Sequence, residues 1–380
     1  MPKQETSEHS PASESATFIE QLIPTNFYTV LREERNFLAL IGIFFIIAGV
    51  TYPYAEIAKW VGFALAGYSA IANDSIQTIG TFIASNEDKK WWVLWLFIGG
   101  IFLATVTYSW YVNAGDVTYQ RLSAKGFSEA PTSFSFLQIA APIFLLLLTR
   151  MRMPVSTTFL ILSCFSASAS AIGSVLVKSI SGYFVAFIAA IVIWIGFSKV
   201  IQKLTRGKPR PVWTYFQWIT SGSLWAVWIM QDAANIAVYL PRSLSLTQFL
   251  IFALYIFLGL GMLFYLRGDK IQKVVTEKSD VHDIRSATII DFVYAIILYY
   301  FKIQSNIPMS TTWVFIGLLA GREIAMSFTD AQGKGKPLGF SLKLIGKDAG
   351  YALIGLAVSI ALAVAINPEI KAEFLGYIFG

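Results

Sequence analysis

The residues of this chain that could do chemistry come as two pairs of short stretches. Pro154-Val155-Ser156-Thr157-Thr158 returns as Pro308-Met309-Ser310-Thr311-Thr312, and each copy opens an apolar run, at Phe159 and at Trp313. A proline, then hydroxyl residues, then apolar ones predicts a helix start, whose unpaired backbone N–H groups and hydroxyls suit an anion. Either copy alone reads as capped or self-bonded Ser/Thr in a membrane helix. Recurrence shifts the reading to binding, because internal repeats of membrane proteins place sites at corresponding positions. The second pair is Asn73-Asp74-Ser75-Ile76-Gln77 and Gln231-Asp232-Ala233-Ala234-Asn235. In each, an amide precedes the aspartate and another follows three residues later on the same helix face. A carboxylate inside an apolar segment requires a cation, a proton or hydrogen-bonded partners. Oxygen ligands of this kind suit a hard cation such as Na⁺, which would make Asp74 and Asp232 metal ligands; a carboxylate can instead carry H⁺. The bland alternative is an Asp–amide network clamping two helices.

These residues must be positioned by membrane helices. Of 380 residues, 56% are hydrophobic and 14% charged, which excludes an ordinary soluble domain. Apolar stretches long enough to cross a bilayer recur along almost the whole chain. The formal charge of +6 does not point to nucleic acid, since the basic residues cluster in short loops between apolar runs. The two histidines, His9 and His282, lie in polar segments, and Cys164 is the only cysteine. No disulfide, histidine metal centre, Ser/His/Asp set or nucleotide-binding glycine loop is expected, so neither is an enzyme or a cofactor beyond the coupling ion.

The expected fold is an all-α polytopic membrane protein. A polar cytoplasmic tail (1–35) and an extra transmembrane helix (36–59) precede a first repeat (60–202). A basic linker (203–211), a second, inverted repeat (212–367) and a C-terminal tail (368–380) follow. Each repeat has three spans and a helical hairpin, the arms being 133–149 with 154–174 and 286–301 with 308–328. The odd number of crossings inverts the second half. Placing the 203–211 linker in the cytoplasm puts about 19 Lys and Arg inside and about 6 outside, a positive-inside bias. The amino terminus is then cytoplasmic and the carboxyl terminus outside. Arg150, Arg152 and Lys302 near the hydroxyl triplets either raise the local potential for an anion or mark hairpin tips at an aqueous face. Asp291, Arg322 and Glu323 fall in or beside the second hairpin, where Glu323 either joins an ion site or pairs with Arg322.

Four motifs in this order resemble the inorganic phosphate transporter family, whose halves each carry a Gly-Ala-Asn-Asp-Val-Ala-Asn-like and a Pro-(Val/Ile)-Ser-Thr-Thr-His-like segment. The resemblance covers residues 60–367. It implies cation-coupled symport of inorganic phosphate, or of sulfate or another oxyanion, across a cell membrane. The anion would be held by Ser156, Thr157, Thr158, Ser310, Thr311 and Thr312. Na⁺ or H⁺ would be held by Asn73, Asp74, Gln77, Gln231, Asp232 and Asn235. Departures from the pattern are Ile71 for the glycine, Gln77 and Gln231 for asparagines, Val238-Tyr239 for a Gly-Pro, and Phe159 and Trp313 for the histidines. They leave open a transport-inactive membrane sensor or scaffold. The expected partners are the oxyanion and the lipid bilayer; a homo-oligomer is compatible with the sequence.

Overall fold

The computed structural model describes residues 34–124, 126–151, 153, 155–266, 283–329 and 337–379, without the side chains of 75–77 and 377–379. All regular structure among them is helical. The polar tail, Arg152, Pro154 and most of the charged loop expected at 267–285 lie outside these residues.

Helix α1 (Arg35–Thr51) stops before Tyr52-Pro53-Tyr54, and α2 (Ala55–Ser85) begins after it. The first break therefore falls at Pro53 and not near Lys59, because proline lacks the N–H that would continue the helix and crowds the turn before it. Helix α3 (Trp91–Val112) coincides with the span expected there. Helix α4 (Phe136–Arg150), the first hairpin arm, starts on a capping box in which the Ser135 hydroxyl accepts from Gln138 N–H and the Gln138 side chain returns the bond.

The second arm differs from the apolar helix expected over 154–174. It is a short helix α5 (Thr157–Leu160) and a 3₁₀ turn (Leu162–Phe165), broken before α6 (Ala169–Gly196). Serines, whose side chains can serve as small packing residues or as caps, make this break. Ser166 Oγ donates to Ser168 O at 2.9 Å, and Ser168 Oγ accepts from Ala171 N–H as the N-cap of α6. Helix α7 (Ser198–Thr205) runs into the basic linker.

In the second half, α8 (Val212–Ala237), α9 (Leu246–Tyr265), α10 (Ile284–Gln304), α11 (Thr311–Thr329) and α12 (Leu338–Ile366) follow in turn. The last helix of the second repeat already starts at Leu338, and the tail forms α13 (Pro368–Phe379). Among the described residues α3, α6, α9, α10 and α12 are long and apolar enough to cross a membrane. The chain is an all-α membrane protein.

Two packing pairs position the motifs. α2 lies against the first hairpin arm α4, α8 against the second hairpin arm α10, and α2 and α8 touch each other. α11 is pressed onto α6 through Gly317 and Gly321, where a Cβ would stand 2.4 Å from Tyr183 O and 2.2 Å from Phe187 O. Only glycine permits this backbone-to-backbone approach, the small-xxx-small device of membrane helices.

Candidate functional site

The four motifs meet in one buried cluster where α2 and α8 cross the hairpin tips. Asp74 is 2% exposed. Its Oδ1 accepts from Asn73 Nδ2 at 2.5 Å, and its Oδ2 accepts from the Thr157 hydroxyl. Asn73 Nδ2 also lies 3.3 Å from Val155 O, and the Thr149 hydroxyl donates to Asn73 Oδ1 at 3.2 Å. Asn73 thus ties α2 to both sides of the first tip. The Gln77 side chain lies outside the described residues.

Asp232 is equally buried but differently bonded. Asn235 Nδ2 donates to its Oδ1 at 2.6 Å, and the Thr158 hydroxyl stands 3.4 Å from the same oxygen. Thr158 also faces Met309 O at 3.1 Å and accepts from Asn235 Nδ2 at 3.1 Å. Asp232 Oδ2, Gln231 Oε1 and Asn235 Oδ1 are buried with no hydrogen bond among the described residues; the Thr311 hydroxyl lies beside the Asp232 carboxylate without completing one of full geometry. Three unfilled acceptor oxygens on one turn of helix are costly in the absence of a cation or a proton. The Gln231 amide nitrogen is spent elsewhere, on Leu298 O at 2.9 Å. Asp74 and Asp232 are near enough to act on each other electrostatically.

The hydroxyl triplets divide their labour. Ser156 Oγ accepts from Phe159 N–H and Ser310 Oγ from Trp313 N–H, each at 3.2 Å, so both serines serve as helix caps. Thr157 and Thr158, adjacent in sequence, reach one aspartate each. Thr311 and Thr312 are buried at the start of α11, with Ser310 N–H bound to Ser179 Oγ at 2.8 Å and Tyr294 Oη donating to Thr311 O at 2.9 Å. Phe159 and Trp313 pack against each other with ring centroids 5.4 Å apart and close the gap between the tips. The hydroxyl triplets and the Asp–amide motifs, separate in the sequence reading, are joined through Thr157 to Asp74 and through Thr158 to Asp232 and Asn235.

Two neighbours, Tyr294 and Arg121, carried no sequence signal. Tyr294 is 1% exposed and interacts electrostatically with both aspartates. Arg121, from the loop after α3, is fully buried and donates to Met230 O at 3.3 Å and to Ser305 O at 2.5 Å. Burial pulls its guanidinium down to about 10, against the attraction of Asp232. Lys178 of α6 donates to Ser305 O at 3.1 Å, Ser305 Oγ at 3.0 Å and Ile307 O at 2.7 Å. Both cations sit at the C-terminal end of α10, where helix carbonyls favour positive charge. Lys302 lies over the Tyr119 ring at 5.8 Å, and Arg322 and Glu323 form a buried pair at 3.3 Å.

No protein-family model matches the chain, and no curated protein matches its sequence. Among solved structures the fold is similar to one described as "The sodium-dependent phosphate transporter", with a TM-score of 0.53 and 18% identity over 84% of this chain and 99% of that one.

Proposed function

We propose that the chain is a secondary transporter that moves inorganic phosphate across a cell membrane together with a coupling cation, Na⁺ or H⁺. One observation carries the reading most. Among the described residues, Gln231 Oε1, Asp232 Oδ2 and Asn235 Oδ1 are unfilled acceptors in the last two turns of an apolar helix, beside a second carboxylate and the Thr158 hydroxyl of the first hairpin tip. Oxygen-only donors of this kind suit Na⁺, and a proton on Asp232 would relieve the same deficit. In this reading the cation binds at Asp232, with Asp74 beside it. The oxyanion is received by the Thr157–Thr158 and Thr311–Thr312 hydroxyls and the N–H groups of the α11 start. A cation bound beside an anion lowers the cost of holding either in the membrane. The element order of residues 55–196, which returns over 212–366, supports two inverted repeats rocking about the cluster, with the amino terminus cytoplasmic and the carboxyl terminus outside. The similar fold of a sodium-dependent phosphate transporter supports phosphate as the anion, with sulfate or another oxyanion as the alternative.

The test is uptake of radiolabelled phosphate into proteoliposomes under an inward Na⁺ gradient, an inward H⁺ gradient or neither, with unlabelled sulfate as competitor. Accumulation that collapses with one gradient names the cation, and competition by sulfate decides the anion. No accumulation with folded protein under any gradient refutes phosphate symport and turns attention to another anion, then to a membrane sensor.

A further inference from the structure

A third acid lies apart from this cluster. Asp291, on α10, is 1% exposed. The Thr81 hydroxyl donates to its Oδ1 at 2.8 Å and the Ser221 hydroxyl to its Oδ2 at 2.5 Å. Thr81 belongs to α2, in the first half, whereas Ser221 and Asp291 belong to α8 and α10, in the second. The carboxyl is therefore clasped across the joint between the halves by two neutral hydroxyls.

Charged side chains exist on the helices packed around α10, but among the described residues none forms an ion pair or hydrogen bond with Asp291. Asp74 on α2 and Asp232 on α8 belong to the central cluster. Lys178 on α6 is bound to Ser305 and Ile307, and Glu323 on α11 is paired with Arg322. Lys59 on α2 is paired with Glu56, and among the described residues Lys199 and Lys203 on α7 form no ion pair with Asp291 either. Arg285, on α10 itself, is bound to Asp283 and to carbonyls of residues 204–207. An ionised carboxylate without a cationic partner is the costly form in this setting, and two hydroxyls do not replace the missing charge.

From Asp291 a file of buried polar side chains leads out. Gln217 Nε2 donates to Ser85 Oγ at 2.5 Å and stands 3.4 Å from Thr81 O. Asn86 Nδ2 donates to Gln217 Oε1 at 2.8 Å. Asn86 lines a cavity of about 260 Å³ with Glu87, Lys89 and Trp91 at the loop between α2 and α3. The first half offers no equivalent acid. Tyr239 stands seven residues past Asp232, as Thr81 stands seven past Asp74, and its hydroxyl donates to the backbone oxygen of Gln138. Position 291 thus adds one ionisable group to an otherwise neutral contact.

We propose that Asp291 is a proton-binding site, clasped between the two halves by Thr81 and Ser221, which holds H⁺ at neutral pH. The proposal rests on the chain crossing a membrane and not on phosphate transport, so its test needs no transport. The full-length protein in lipid nanodiscs is examined by infrared difference spectroscopy in the carbonyl-stretch region of protonated carboxylic acids, with and without Na⁺. The wild type is expected to show a protonated-carboxyl band at pH 7 that Asp291→Asn removes and that Na⁺ does not. Ser221→Ala and Thr81→Val each delete one hydroxyl and are expected to move that band without abolishing it; they decide the matter should Asp291→Asn fail to fold. A band set left unchanged by every variant shows an ionised Asp291 and overturns the proposal. So does a band at this residue that Na⁺ erases, which would make the site one for a metal cation.

Discussion

Asp74 and Asp232 stand at corresponding places in the two halves, yet their hydrogen bonding is not alike. Both oxygens of Asp74 are occupied, by Asn73 and Thr157. Among the described residues Asp232 has one engaged oxygen, and its amide neighbours leave two further acceptors unfilled. Side-chain reach explains the contrast. Asn73 is short enough to turn its amide onto the adjacent aspartate, whereas the longer Gln231 takes its amide nitrogen to Leu298 O on the hairpin arm. Repetition of sequence therefore does not carry repetition of charge compensation, and the second half offers the more open oxygen set.

The largest effect is expected where that asymmetry is removed. Asp232→Asn deletes the negative charge of the open set and should lower concentrative uptake about 100-fold or more, some 2.7 kcal/mol of lost transition-state stabilisation. Asp74→Asn, at the satisfied position, should lower it less, by about 10-fold on the same scale. Equal losses in initial-rate uptake would erase the distinction between the halves.

Next comes the difference between the hairpins' second arms. α11 is an unbroken helix seated on α6 through Gly321, while the first arm is held at Val155 against Gly355 of α12, where an added Cβ would stand 3.2 Å away. Gly321→Val forces the α6 backbone aside and should cost about 2 kcal/mol, whereas Gly355→Ala should cost under about 1 kcal/mol. Thermal unfolding in detergent measures both, and a larger loss at Gly355 would reverse the ranking.

A smaller effect is expected at the adjacent threonines. Thr158→Val removes contacts to Asp232, Met309 O and Asn235, whereas Thr157→Val removes the contact to Asp74. Unfilled polar groups cost about 1–3 kcal/mol. The apparent cation affinity should fall further in Thr158→Val, and an opposite order would assign the cation to Asp74.

The smallest effect concerns how the hairpins begin. α4 starts on the Ser135–Gln138 capping box, which does not titrate. α10 starts on Asp283. Burial alone would raise its carboxyl, but hydrogen bonds and charge from Arg285 outweigh burial and hold it below the usual carboxylate range. A carboxylate depressed in the folded state contributes stability above its unfolded pKa, and that contribution is lost as pH falls through the folded value. Acidification below about pH 4 should loosen the start of α10 and leave the start of α4 unchanged. Hydrogen exchange read at the two helix starts checks this, and parallel loosening would contradict it.

Much of this was legible in the chain because its signals are local. The Ser-Thr-Thr and Asp–amide motifs announced themselves by recurrence, and they do converge. The span over 91–112 was legible from its uninterrupted apolar run. Less legible was whatever depends on a distant partner. Arg121 belongs to no recurring motif, and only the fold brings it to Met230 and Ser305. Tyr294 is one of 17 tyrosines, and only the fold sets it beside both aspartates. The break at Ser166–Ser168 was hidden because serine reads equally as a packing residue and as a cap, and tertiary context decides between them.

The pairing of Phe159 with Trp313 has a consequence for how the joint between the tips responds to pH. The tips of the two arms meet through aromatic rings where the related pattern carries histidines, so their mutual grip has no proton to gain or lose. Acid or alkali cannot prise this seam open by charging it. Any titration at this joint belongs to the carboxyls behind the seam, while the rings stay neutral.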